Sequence, residues 1–291
     1  MRWKRGYRSK RVRDMRGARP SGGMRGLPVG LTGGGIGGIV LLLLLVFLGG
    51  NLFGGEQVPG IDGFQPAPPA GEAPPAGPDP EADLVSFVSF VFDDAQSTWD
   101  QLFQESGRTY RYTEMVLFRE ATQSGCGYAT SEVGPFYCGA DETVYLDLGF
   151  FRELQDSYGA EGDFAQAYVV AHEVAHHVQL LLGISQRVQR LSGEDPEEAN
   201  ELSIAQELQA DCLAGVWGRT TYQRELLQRG DLQEGLDAAA AIGDDRIQRQ
   251  SSGRVNPETW THGSSEQRRE WFETGFDSGD ADACDTFTVL T

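Results

Sequence analysis

The chain has 291 residues and a formal net charge of −19, which gives its main part the size of one ordinary domain with a full hydrophobic core. The charge is unevenly divided: residues 1–25 carry ten Lys/Arg and one Asp, whereas the remainder carries 14 Arg against 42 acids. An acidic main part argues against a nucleic-acid partner, and the acidity predicts solubility rather than a chemistry.

In chain order, the basic residues 1–26 abut a Gly-rich apolar stretch at 27–55 whose densest part is IVLLLLLVFL at 39–48. Taken with its glycines, this stretch can span a bilayer. A basic flank of this kind stays in the cytoplasm and sends the rest of the chain across. A cleaved signal peptide shares the basic start and apolar core, but the run passes into GGNLFGGEQ without a small-x-small cleavage site. The expectation is a cell-membrane protein with a single N-terminal span and an extracytoplasmic main domain. Residues 56–83 follow as a Pro/Gly-rich linker, eight of the 13 prolines lying in it; in polyproline II form it reaches up to about 80 Å. The domain proper is then 84–291.

Within that domain, apolar residues recur near a 3.6 period over 84–105 and predict a helix. MVLFRE at 115–120 and TVYLDL at 143–148 predict strands, separated by a loop that includes GPFYCGAD. Helices are predicted at 150–157, 164–183, 196–229, 232–242 and 266–275, with Pro196 suited to a first helical position and Asp231 to a cap. A small sheet packed on a mostly helical body is an α+β arrangement. The four cysteines, Cys126, Cys138, Cys212 and Cys284, are even in number and permit two disulfides outside the cytoplasm. Of the three pairings, local closure of Cys126 with Cys138 is the simplest and leaves Cys212 with Cys284.

The segment FAQAYVVAHEVAHHVQLLLG at 164–183 holds three of the four histidines and a single carboxylate among apolar residues. It reads as a helix buried on most sides, with Asp163 as cap and Gly183 just past its end. His172 and His176 are four apart and therefore lie on one helical face, where both can offer a ring nitrogen to one ion. Glu173 stands one residue round, placed to take a proton from a metal-activated water. His177 is rotated about 100° off that face and reads as structural or as a support behind the ligands. The bland alternative is a core helix whose histidines only make hydrogen bonds.

A catalytic zinc takes three protein ligands and keeps one position open. In SIAQELQADCLAGVWG at 203–218, Glu207 and Asp211 are four apart on a stripe with Ile204, Leu208 and Gly215. Two carboxylates on such a stripe suit Glu207 as third ligand and Asp211 as acceptor from a ligating imidazole. A solvated helix edge is the alternative, with Glu198, Glu201 and His262 as weaker ligand candidates.

Six ordered segments resemble one family, the bacterial neutral zinc metallopeptidases: GPFYCGADETVYLDLGFF at 134–151, AHEVAHHVQ at 171–179, ELQADCLAGVW at 207–217, AIGDDRIQ at 241–248, THGSSEQR at 261–268 and CDTF at 284–287. One departure is Gly139, where the family more often has Pro. The resemblance implies a basic N-terminus, one membrane span, an exported zincin-like α+β domain with a central HExxH helix, zinc as cofactor, and peptide or protein substrates. The ExxxD spacing is similar to that of other Glu-zincins and supports Glu207.

His262, the one histidine outside the helix, has two readings of equal weight. It donates to the oxyanion of a tetrahedral intermediate, as a separate histidine does in thermolysin-like enzymes, or it belongs to a capping segment in which Ser264 or Ser265 starts the last helix. Asp244 and Asp245 either orient Arg246 or support the site. The resulting expectation is a zinc peptidase with metal ligands His172, His176 and Glu207, catalytic Glu173 and His262, and Asp211 behind the ligands. A metal-stabilised binding module without turnover and a cell-wall peptide amidase are the alternatives.

Overall fold

A computed structural model describes residues 1–17, 79–193 and 196–287. The expected anchor at 27–55 and nearly all of the linker lie outside the described residues. Among those described, no helix is long and apolar enough to cross a membrane.

The architecture is α+β. A four-stranded sheet runs in the order β1 (Val12–Asp14), β2 (Glu114–Phe118), β6 (Thr143–Asp147), β5 (Phe136–Cys138). β1, β2 and β6 are parallel, and β5 is antiparallel to β6. A separate hairpin, β3 (Ala121–Ser124) with β4 (Gly127–Thr130), fills part of the expected loop. Because strand side chains alternate between faces, Met115 and Leu117 enter the main core, while Val116 and Phe118 join Ala129, Phe136, Cys138 and Tyr145 on the other face.

The helical body comprises α1 (Ala82–Glu105), α2 (Gly149–Asp156), α3 (Asp163–Leu181), α4 (Ile184–Leu191), α5 (Pro196–Gln223), α6 (Asp231–Ala241), α7 (Asp244–Ser252) and α8 (Ser265–Ser278). α3 is the central element, packed on α1, α5 and α6. Its Ala/Val-rich surface lets neighbours approach on all sides, and nearly all of its residues are buried. Gly162, not Asp163, is its cap residue. The Asp163 carboxylate instead meets the Met1 ammonium at 2.7 Å, and the exposed N–H of Phe164 is taken by Glu234 of α6 at 3.0 Å. Asp231 likewise is the first helical residue of α6 rather than its cap, its carboxylate accepting from the N–H of Gln228 at 2.7 Å. Gly183 follows α3 in the left-handed conformation at φ 78°, as a residue just past a helix end does.

α5 and α8 cross at unusually short range, and glycine makes this possible. A Cβ on Gly275 would fall 1.8 Å from the carbonyl oxygen of Cys212, and one on Gly215 would fall 2.1 Å from that of Phe272. α8 starts at Ser264, whose side chain accepts from the N–H of Gln267 while Gln267 returns a bond to the cap backbone, a reciprocal capping box. Both disulfides form, Cys126 with Cys138 and Cys212 with Cys284.

The folded unit is larger than 84–291. Residues 1–17 belong to it, supplying β1 and burying Met1. α1 begins at Ala82, two residues before the expected start.

Candidate metal centre

His172 and His176 project from α3 toward Glu207 on α5. His172 Nε2 lies 3.2 Å and His176 Nε2 3.5 Å from the Glu207 carboxylate. One ligand atom from each of the three residues falls within 4.8 Å of the others, and all three side chains are buried.

The tautomers follow from the partners behind the rings. His172 Nδ1 lies 2.8 Å from Asp211, which only accepts, so Nδ1 carries a hydrogen; Nε2 donates to the Glu207 carboxylate while the ring is protonated and offers its lone pair to a cation once that proton is lost. His176 Nδ1 lies 2.9 Å from Gln179 Oε1. Gln179 is oriented by its own amide nitrogen, which donates to the Gln206 carbonyl at 2.7 Å and to Gln209 Oε1 at 3.0 Å. His176 therefore also presents Nε2. Two imidazoles held this way, with one carboxylate, are a donor set that could hold a metal ion.

The charges favour a cation between them. Asp211 is 0% exposed, and Glu173 and Glu207 are nearly so. Burial works against ionising Asp211, but Arg268, His172 and hydrogen bonds keep its carboxyl below the usual range. Burial opposes charge on His172 too, yet Asp211 and Glu207 outweigh it and raise the imidazole to about 9. Burial and the His172 charge push His176 down to about 4. Without a metal, His172 thus holds a proton where the carboxylates need positive charge, which a divalent ion supplies in its place.

Arg268 on α8 is 2% exposed and completes this arrangement. Its Nε and Nη2 donate to both Asp211 oxygens at 2.7 and 2.9 Å, and Nη1 donates to the Ile242 carbonyl at 3.2 Å. Tyr168, one turn before His172, donates its hydroxyl to Asp211 as well. Sequence reasoning placed Asp211 behind a ligating imidazole and missed Arg268, Tyr168 and Gln179. Spacing carried a signal for two of these, since Tyr168 and Gln179 lie four before His172 and three after His176.

His177 points away from this cluster. Its Nε2 donates to the Arg111 carbonyl, so Nδ1 accepts from the Tyr137 hydroxyl at 2.8 Å. It ties α3 to β5, as a structural histidine.

His262 is brought to the centre, its charge acting on both Glu173 and Glu207. Asp244 at the start of α7 fixes it: one carboxylate oxygen accepts from the N–H groups of Thr261, His262 and Gly263 at 2.7, 2.6 and 3.1 Å. The other lies 3.2 Å from His262 Nδ1. Asp244 therefore holds the THG segment and does not orient Arg246, which donates to the Tyr158 carbonyl. Asp245 instead accepts from the N–H and hydroxyl of Ser265 at the start of α8.

An α+β body built around a helix carrying two histidines, with a carboxylate converging from a second helix, defines the class of a protein able to hold a metal ion at its centre. The chain belongs to the family described as "Putative neutral zinc metallopeptidase", which it matches over residues 1–287. It is 45% identical over 288 residues to the uncharacterized protein YpfJ of Escherichia coli (strain K12), covering 99% of both chains. It is 48% identical over 191 residues to the uncharacterized protein Rv2575 of Mycobacterium tuberculosis (strain ATCC 25618 / H37Rv), covering 62% of this chain and 64% of that one. No solved structure matches it.

Proposed function

We propose that this protein is a zinc-dependent peptidase that hydrolyses peptide bonds outside the cytoplasm. The observation that carries this reading is the convergence of His172 Nε2 and His176 Nε2 on the Glu207 carboxylate with Glu173 beside them on α3. Zinc held by these three residues would lower the pKa of a coordinated water and polarise a carbonyl oxygen. Glu173 is the general base: it takes the proton of the attacking water and returns it to the departing amine. Burial pushes its carboxyl up to about 7 in the metal-free site, and a bound dication would bring it down and leave the base charged. His262, oriented through Nδ1 by Asp244, has its Nε2 available to donate to the developing oxyanion. The two disulfides support an oxidising compartment.

The test is purified full-length chain of measured zinc content incubated with a diverse peptide library, with products read by mass spectrometry. Wild type is expected to cut, and Glu173→Gln to bind zinc equally and cut nothing. Equal cleavage by Glu173→Gln overturns the mechanism. A fully zinc-loaded wild type that cuts nothing overturns the peptidase reading and favours a metal-stabilised binding module.

A further inference from the structure

The first 17 residues are docked along their length onto the domain that carries the metal centre. Trp3 packs edge-on against Phe87, and Tyr7 against Phe90, at centroid distances of 5.3 and 5.7 Å. The Tyr7 and Ser9 hydroxyls donate to the two oxygens of Asp93, each at 2.8 Å. The Arg11 guanidinium lies 4.0 Å over the Tyr112 ring. β1 then joins the edge of the sheet, with Val12, Arg13 and Asp14 in register with Met115, Val116 and Leu117. These contacts reach α1 and β2, which lie beyond the apolar stretch in sequence.

Arg16 closes the arrangement. Its Nη2 is 2.6 Å from both Asp14 and Asp79, and its Nη1 is 2.7 Å from Glu81. Residue 17, where the chain leaves the described region, and residue 79, where it returns, therefore lie at one place on the domain surface. The basic character of the segment also has a local explanation. Arg5 faces Asp83, Arg13 faces Glu114, and Arg16 faces three acids, so the positive charge complements an acidic domain and need not be a signal for retention in the cytoplasm.

A single crossing at 27–55 would put residues 1–17 and the domain on opposite sides of a bilayer, where none of these contacts could form. We propose that residues 1–17 and the metal-site domain occupy the same side of any membrane the chain meets. This departs from the single-span expectation and does not depend on the peptidase reading.

The composition offers a direct test, because Lys4 and Lys10 are the only lysines in the chain and both are exposed. Full-length chain with a lysine-free epitope tag after Thr291 is expressed in bacterial cells, from which sealed spheroplasts and sealed inverted vesicles are prepared. Each preparation is treated with a membrane-impermeant amine-reactive ester, or with proteinase K, and scored against detergent-opened controls. Mass spectrometry at Lys4 and Lys10 reads the side of the arm; tag loss reads the side of the domain. The expected result is lysine labelling and tag loss in the same preparation. Labelling of either lysine in the preparation that spares the tag, in whole or in part, overturns the proposal.

Discussion

Arg268 grips both carboxylate oxygens of Asp211, at 2.7 and 2.9 Å, while Asp211 holds Nδ1 of His172 at 2.8 Å. The guanidinium thus acts on the metal centre through two residues, and both ends of the pair are almost fully buried. Removing one partner of a buried ion pair strands the other charge. Arg268→Leu should cost roughly 3–5 kcal/mol of stability, read by denaturant unfolding. Asp211→Asn should weaken zinc binding about 10–100-fold, read by chelator competition. Unchanged stability in the first variant, or unchanged zinc affinity in the second, would refute this chain of support.

The Asp244–His262 pair gives a second expectation. If His262 donates to the oxyanion, His262→Ala should lower kcat about 10²–10³-fold with KM little altered and zinc content unchanged. Asp244→Asn should lower kcat less, because its amide oxygen can still accept from the backbone of the THG segment. A His262→Ala enzyme within threefold of wild type would leave only the capping role.

Much of the centre was legible in the sequence, because helical geometry converts spacing into position. His172 and His176 share a face at i and i+4, and Glu207 and Asp211 do the same on α5. Arg268 was not legible: it meets Asp211 only because α5 and α8 approach through Gly215 and Gly275, a tertiary contact that no local period encodes. The N-terminal strand was hidden for a related reason. VRD is too short and polar to read as a strand, and its partner β2 lies about a hundred residues on. β5 and the β3–β4 hairpin sat in a Gly-rich stretch that reads as loop. α4 and α7 are eight and nine residues long, carrying too few turns to establish a period. α5 ends at Gln223 rather than continuing to Arg229.

Glu173 should report its burial through pH in two ways. In metal-free protein its carboxyl is raised to about 7, so between about pH 4.5 and 7 the folded state holds a proton that the unfolded state has lost. Stability from this group is therefore fully present below the ordinary Glu pKa and is lost as pH rises through about 7, an effect of roughly 2–4 kcal/mol. Denaturant unfolding of chelated wild type should show the decline, and Glu173→Gln should flatten it. With a dication bound, the charged form is favoured, so the acid limb of kcat/KM should lie below pH 7. A limb above 7 would exclude Glu173 as the group that titrates.

The two disulfides should differ in their worth. Cys126–Cys138 spans 12 residues and Cys212–Cys284 spans 72; loop-closure entropy then assigns about 3 and about 4 kcal/mol respectively. The longer closure also holds the chain end against the metal helix. Gln209 donates to the Cys284 carbonyl at 2.9 Å, and Thr286 donates to that of Ala205. Gln209 is in turn bonded to Gln179, which orients His176. Cys212→Ala/Cys284→Ala should therefore lower the denaturant midpoint more than Cys126→Ala/Cys138→Ala and should also weaken zinc binding, which the shorter pair's removal should leave unchanged. Equal loss of zinc affinity in both double variants would mean that the C-terminal tie does not reach the metal centre.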